Sequence, residues 1–216
     1  MTTPAGLMTN MNFPAPLSVL GFLAGCVLLA LSALAIVVAS FIGRFKLVRL
    51  LLACVGAGSF IYLALLACVS LASHDRTLAR GQEKYFCEID CHLAYSLVGV
   101  TALSAANRTD YTITLRTRFD ETTISARRPK DRPLTPNPRE IRIVDTPGQL
   151  HTASLVGGTP LVAPLKPGDS YFTQLRCSLP PDVRPLRLLL TSQGWPEHLL
   201  IGDELSPLHG KTWFAL

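Results

Sequence analysis

Cys87, Cys91 and His92 form the densest group of side chains in this chain able to do covalent or coordination chemistry. They lie in Glu83-Lys-Tyr-Phe-Cys-Glu-Ile-Asp-Cys-His-Leu-Ala-Tyr95, with Glu88 and Asp90 between the thiols. Four residues of strand span about 13 Å, which keeps two thiols apart. One helical turn brings them to about 6 Å, within disulfide range. A shared role for Cys87 and Cys91 therefore predicts a turn between neighbours that read as strands. Three readings stay open: a disulfide, a thiolate–imidazole metal site for copper or zinc made by Cys87, Cys91 and His92, and two buried free thiols. His198 and His209 join such a site only if the fold brings the C-terminal region back to it, and Cys177 reads as a core residue on its strand. Other chemistry fails on inspection. Gly210-Lys211-Thr212 has Leu205 where a phosphate loop needs glycine, and no nucleophile elbow, zinc-protease or dinucleotide fingerprint occurs. The expectation is no catalytic residue and no cofactor, with copper as the alternative.

The elements that position these residues begin with two apolar runs. The 216 residues are 49% hydrophobic and only 16% charged, with mean hydropathy +0.33. No charged residue precedes Arg44, and none lies between Arg49 and Asp75. Residues 16–42 and 50–72 each exceed the roughly 20 residues that cross about 30 Å of hydrocarbon, so both read as transmembrane helices. The first lacks a basic leader and reads as retained rather than cleaved. Arg44, Lys46 and Arg49 in the connector 43–49 place it in the cytoplasm, with the tail 1–15 and the C-terminal region outside. The expected location is the cytoplasmic (inner) membrane, two-pass, with both termini extracytoplasmic and the lipid bilayer as one partner.

Gly21-x-x-x-Gly25 and Ala53, Gly56, Ala57, Gly58 offer small surfaces that either pack this hairpin or dock another membrane protein. Cys26, Cys54 and Cys68 read as small apolar fillers. Those three connector cations also supply three of the +5 net charges, which removes the concentrated basic face a nucleic-acid partner needs.

Residues 74–93 read as a junction and 94–216 as an all-β domain. Tyr111, Ile113, Leu115, Thr117 and Phe119 alternate with polar neighbours, as do Tyr171, Thr173, Leu175, Cys177 and Leu179. That period of two marks half-buried strands. Further strands are expected at 94–103, 141–144, 150–154 and 186–191. Turn chemistry at Asp145-Thr-Pro-Gly148, Gly157-Gly158, Pro167-Gly-Asp169 and Pro180-Pro-Asp182 separates them. Short strands at this spacing predict an antiparallel sandwich. Arg127–Arg139 reads as a basic, proline-punctuated loop that is solvated or meets anionic surfaces. Asp203-Glu204 reads as a solvated turn, and Lys211–Leu216 as a last strand or a membrane-surface contact.

Pro164-Leu-Lys-Pro-Gly-Asp-Ser-Tyr171, with the strand that ends Leu179-Pro-Pro181, resembles the closing hairpin of immunoglobulin-like domains in bacterial membrane-anchored extracytoplasmic proteins of unknown function. Ile141–Gly148 resembles their mid-sequence hairpin. The resemblance implies an immunoglobulin-like sandwich and no particular activity. Two N-terminal helices before an external β domain, with Cys87-Glu-Ile-Asp-Cys91, are similar to subunit II of cytochrome c oxidase. That resemblance implies copper ligation by Cys87 and Cys91. It stops there, because Tyr95 and Val98 stand where the family's loop continues to His and Met.

Together these readings predict a two-helix transmembrane hairpin carrying an immunoglobulin-like sandwich. The expected role is a non-enzymatic interaction or assembly module, with a membrane or extracytoplasmic protein as partner. The alternative is a copper-binding or thiol-redox protein of a respiratory membrane complex.

Overall fold

The computed structural model describes residues 8–87, 91–124, 129 and 131–216. Two long helices come first, α1 (Ala15–Phe41) and α2 (Phe45–Leu71), each long and apolar enough to cross a membrane. Their ends are about where the hydropathy puts them, with one difference. α2 starts at Phe45 rather than 50, so Lys46 and Arg49 ride on its first turns and the connector shrinks to Ile42–Arg44. Lys, Leu and Arg are good helix formers, and helix is the form that satisfies backbone groups close to lipid. Gly43 takes φ +72°, and the Arg44 N–H donates to the Ala39 carbonyl at 2.9 Å to close the reversal.

The small residues do not pack the hairpin. A Cβ added at Gly21, Gly25, Gly56 or Gly58 would meet nothing within 4 Å. Cys26, Cys54 and Cys68 are exposed on the helix surfaces rather than filling an interior.

Eleven strands build two sheets among the described residues. The first runs β1 (Met8–Thr9), β3 (Glu83–Phe86), β4 (Leu93–Ala105), β5 (Arg108–Phe119), β9 (Ser170–Leu179), β8 (Ser154–Gly158). The second runs β2 (Arg76–Leu78), β11 (Thr212–Ala215), β10 (Pro185–Ser192), β6 (Arg139–Asp145), β7 (Leu150–Thr152). Both sheets are mixed, which corrects the purely antiparallel expectation: β1 pairs parallel with β3, and β2 parallel with β11. The parallel strands are the short segments flanking the helices. One precedes the helices and the other follows them, and each settles along a sheet edge instead of turning back in a hairpin. The region read as a junction thus supplies β2, an edge strand, and β3, which lies between β1 and β4.

One apolar core joins the two sheets. Tyr95, Leu97, Ile113, Leu115, Phe119, Leu175, Cys177 and Leu179 of the first meet Leu78, Ile143, Leu188, Leu190 and Phe214 of the second. These are the alternate residues that the period of two assigns to the inside, including Cys177. Burying each large side chain contributes about 1.5–3 kcal/mol.

One turn expectation needs correction. Gly157-Gly158 lies within β8 at a register shift against β9, not between strands. Gly158 has φ +74°, and a Cβ there would come within 2.3 Å of the Phe172 carbonyl oxygen, so the pair serves close strand approach. The segment read as a closing hairpin does join β8 to β9, antiparallel neighbours in the first sheet, and the chain crosses to the second sheet only after Leu179, where β10 pairs with β6 and β11. The turn at Asp145–Gly148 does form the β6–β7 hairpin, with Gly148 at φ +87°.

Candidate functional site

The sulfurs of Cys87 and Cys91 lie 2.01 Å apart with Cα atoms 4.1 Å apart, so the chain reverses here and the pair stands at disulfide distance. Glu88 and Asp90 lie outside the described residues. The sulfur pair packs on Met11 and Ala15, where the N-terminal segment enters α1. His92 has other neighbours. Its Nδ1 lies 2.7 Å from the Thr123 hydroxyl, its ring stacks on Phe119 at 5.7 Å, and its carbonyl accepts the Asp120 N–H. His198 and His209 place their Nδ1 atoms on the Leu205 and Gly210 carbonyls. Among the described residues no three His, Cys, Asp or Glu side chains gather as a metal site.

The polar centre of the molecule lies where tail, disulfide and C-terminal segment meet. Asn10 is buried, and its Oδ1 accepts the Cys87 N–H at 2.8 Å while its Nδ2 donates to Asp203 Oδ2 at 3.0 Å. Its backbone N–H donates to the Tyr85 carbonyl, and its own carbonyl accepts the Glu204 N–H. Next to it Lys84, with 0% exposure, donates to both Glu204 oxygens at 2.6 and 2.9 Å and to the Leu190 and Thr212 carbonyls. Burial drives the Lys84 ammonium below its ordinary range, and the Glu204 carboxylate opposes that shift. Asp203 and Glu204 are each 2% exposed, which corrects their reading as a solvated turn.

Asp203 supplies a pH dependence. Burial pushes its carboxyl up to about 7, against the N–H of Leu205, and the Glu204 and Glu197 carboxylates add to the rise while Lys84 opposes it. Between the unfolded value near 4 and about 7 the native protein holds the extra proton, so stability falls as pH rises through that window. Three pKa units correspond to about 4 kcal/mol at most. The melting temperature is expected to be higher at pH 5 than at pH 8, and Asp203→Asn should flatten that slope. A wild-type melting temperature constant from pH 5 to 8 would contradict this.

A second cluster lies on the outer face of the first sheet. Arg118 grips Glu83 through Nε and Nη2 at 2.8 and 2.6 Å, and also reaches Asp120 at 3.1 Å. The Tyr85 hydroxyl donates to Asp120 at 2.6 Å. The Arg118 hydrogen bonds hold Glu83 below its ordinary range. For Asp120 burial alone would raise the carboxyl, but bonds from Tyr85, Thr122 and Arg118 hold it well below that range. Each of these charges is satisfied internally, an arrangement suited to fixing β3 against β5.

Arg139, read as part of the basic loop, is buried instead. Its guanidinium lies 4.0 Å over the Phe86 ring and donates to the Ser192 hydroxyl. Arg127, Arg128 and Lys130 lie outside the described residues. The remaining surface carries two features the sequence reading missed. Among the described residues β8 is the last strand of its sheet, exposed along Leu155 (50%) and Val156 (42%). Between the helices a groove of about 590 Å³ is lined by Phe22, Cys26, Cys54, Gly58, Tyr62 and Leu199. Leu155 and Val156 showed as apolar neighbours of a Gly-Gly pair, but which strand ends a sheet is set by pairing that no local pattern encodes.

No protein-family model matches this chain, nor does any curated protein or solved structure.

Proposed function

We propose that this protein is a membrane-anchored assembly module without catalytic activity. It holds an immunoglobulin-like sandwich outside the cytoplasmic membrane on a two-pass hairpin. The cations at the α1–α2 connection support a cytoplasmic position for that turn. The pairing of β1 with β3 supports a tail and a domain on one side. Two sheets sharing one core, with the chain crossing between them after β9, support the immunoglobulin-like reading.

The observation that carries the assembly role is the free edge of β8. Proteins blunt exposed edges with lysine, proline, bulges or very short strands. β8 has five residues, reads Ser-Leu-Val-Gly-Gly, and has no lysine or proline; its one such feature is the register shift between Leu155 and Gly157. Such an edge takes a strand from a partner protein, with backbone hydrogen bonds giving affinity and side-chain pockets giving specificity. The test is the mass of the protein extracted from its native membrane at native abundance. An assembly larger than one 23.4 kDa chain is expected, and Leu155→Lys with Val156→Lys should collapse it while leaving the melting temperature unchanged. A single chain in both samples would overturn the reading.

The sulfur pair favours a second reading, thiol-redox chemistry at Cys87 and Cys91, with copper ligation open only to the reduced form. Thiol counting on unreduced, denatured protein decides the resting state. Four reactive thiols are expected, from Cys26, Cys54, Cys68 and Cys177, and reduction should expose two more. Six before reduction, with visible absorption on copper addition that Cys87→Ser abolishes, would favour the redox reading.

A further inference from the structure

The stretch between β10 and β11 underlies the domain on its helix-facing side. Asn12 donates its N–H to the Gly202 carbonyl at 2.9 Å, and the Gly210 N–H donates to the Ser73 hydroxyl at 2.7 Å. Gly202, at φ +80°, lies so close to Phe13 that a Cβ would approach to 2.4 Å. The stretch therefore touches both places where the chain enters and leaves the helices. It also reaches along them: the Tyr62 hydroxyl donates to the Leu199 carbonyl at 2.6 Å. Tyr62 precedes the α2 end at Leu71 by nine positions, about 13 Å at 1.5 Å per residue. A hydrocarbon layer of about 30 Å uses about 20 helical residues, fewer than the 27 of α2. Leu199 thus sits at or below headgroup level.

Irregular backbone is tolerated at that depth only where its polar groups find partners. The Leu199 carbonyl has Tyr62. The polar side chains of the same turn fold back on the segment: His198 onto the Leu205 carbonyl, and Glu197 against Gly194, where its Oε2 is buried with no hydrogen-bond partner among the described residues. The apolar ones do not. Trp195 and Leu208 are each 72% exposed. An indole with an apolar body and one N–H donor is favoured at the membrane interface.

We propose that the segment from Trp195 to Leu208 is a lipid-contacting sole, seated in the outer interface of the bilayer, that fixes the height and tilt of the domain over the membrane. The occupant is the lipid surface itself, because the segment is continuous with helices that cross it. This rests on the reading that α1 and α2 span the bilayer. Seated this way, Trp195 and Leu208 both enter the interface, about 5–10 Å deep as for other interfacial segments.

The test uses full-length protein with Trp213→Phe, so that Trp195 alone emits, in phosphatidylcholine nanodiscs carrying nitroxide at shallow or deep acyl positions. Shallow nitroxide is expected to quench Trp195 roughly twofold or more, deep nitroxide much less, and aqueous iodide little. Quenching by iodide with none by either lipid would overturn the sole. If Trp213→Phe fails to fold, the same comparison between wild type and Trp195→Phe isolates the Trp195 signal. Leu34→Trp, on an exposed position of α1, in a Trp195→Phe, Trp213→Phe background separates the two failures. Its quenching by deep nitroxide upholds the spanning helices whatever Trp195 does, and its quenching by iodide alone would remove them.

Discussion

Lys84→Met is expected to destabilise the β domain by about 3–5 kcal/mol, the typical cost of leaving one member of a buried ion pair uncompensated. The Lys84 ammonium has 0% exposure and four acceptors, two on Glu204 and two backbone carbonyls. Removing it leaves the Glu204 carboxylate with the Thr212 N–H at 3.3 Å. It also strips a donor from the Leu190 and Thr212 carbonyls, which belong to adjacent strands β10 and β11. Adding Glu204→Leu should recover most of the loss, because an apolar pair of similar volume is often neutral in such a position. Urea unfolding of the two variants separates the outcomes through the midpoint at constant slope. If the single substitution cost under about 1 kcal/mol, the pair would be behaving as an exposed one, and the buried polar centre would be misplaced.

Asn10→Ala is expected to loosen the N-terminal segment on the domain. Two buried side-chain bonds are lost, and both abandoned partners stay inside: the Cys87 N–H and the Asp203 carboxyl. Each unsatisfied buried group costs about 1–3 kcal/mol. A loss of about 2–4 kcal/mol corresponds to local opening roughly thirty- to several-hundredfold more frequent, with a factor of ten per 1.4 kcal/mol. Amide hydrogen exchange should show it at residues 8–12 and at Cys87, with strands β5 and β9 unchanged. The backbone bonds from Asn10 to Tyr85 and Glu204 remain, so the segment is loosened rather than expelled. Uniform acceleration across the domain would mean that the tail is part of the core's own cooperative unit.

These two sites mark the limit of what local pattern reveals. The helices were legible because lipid demands long uncharged runs, and β5 and β9 because one face of each meets the core. Cys87 and Cys91 were legible as a pair because four residues can close on themselves. Lys84 was not, since its partner lies 120 residues on and nothing in Glu-Lys-Tyr-Phe distinguishes a buried lysine from a solvated one. Asn10 was read as part of a free tail for the same reason: Asp203 is 193 positions away. Gly157-Gly158 misled because paired glycines permit either a turn or a close strand approach, and only the neighbour, here Phe172, selects between them. The mixed sheets follow from one geometric fact the periodicity does not contain: the segments on either side of the helical hairpin both end at sheet edges.

In the proposed topology the helical hairpin crosses the membrane and returns the chain to the side it left, with the domain outside. Thiol accessibility in sealed cells tests it most directly, using protein in which Cys26, Cys54 and Cys68 are replaced by alanine. Met8→Cys and Asn107→Cys should react with a membrane-impermeant maleimide added outside, and Arg44→Cys only after permeabilisation. Labelling of Arg44→Cys in sealed cells, with Met8→Cys and Asn107→Cys protected, would contradict the account.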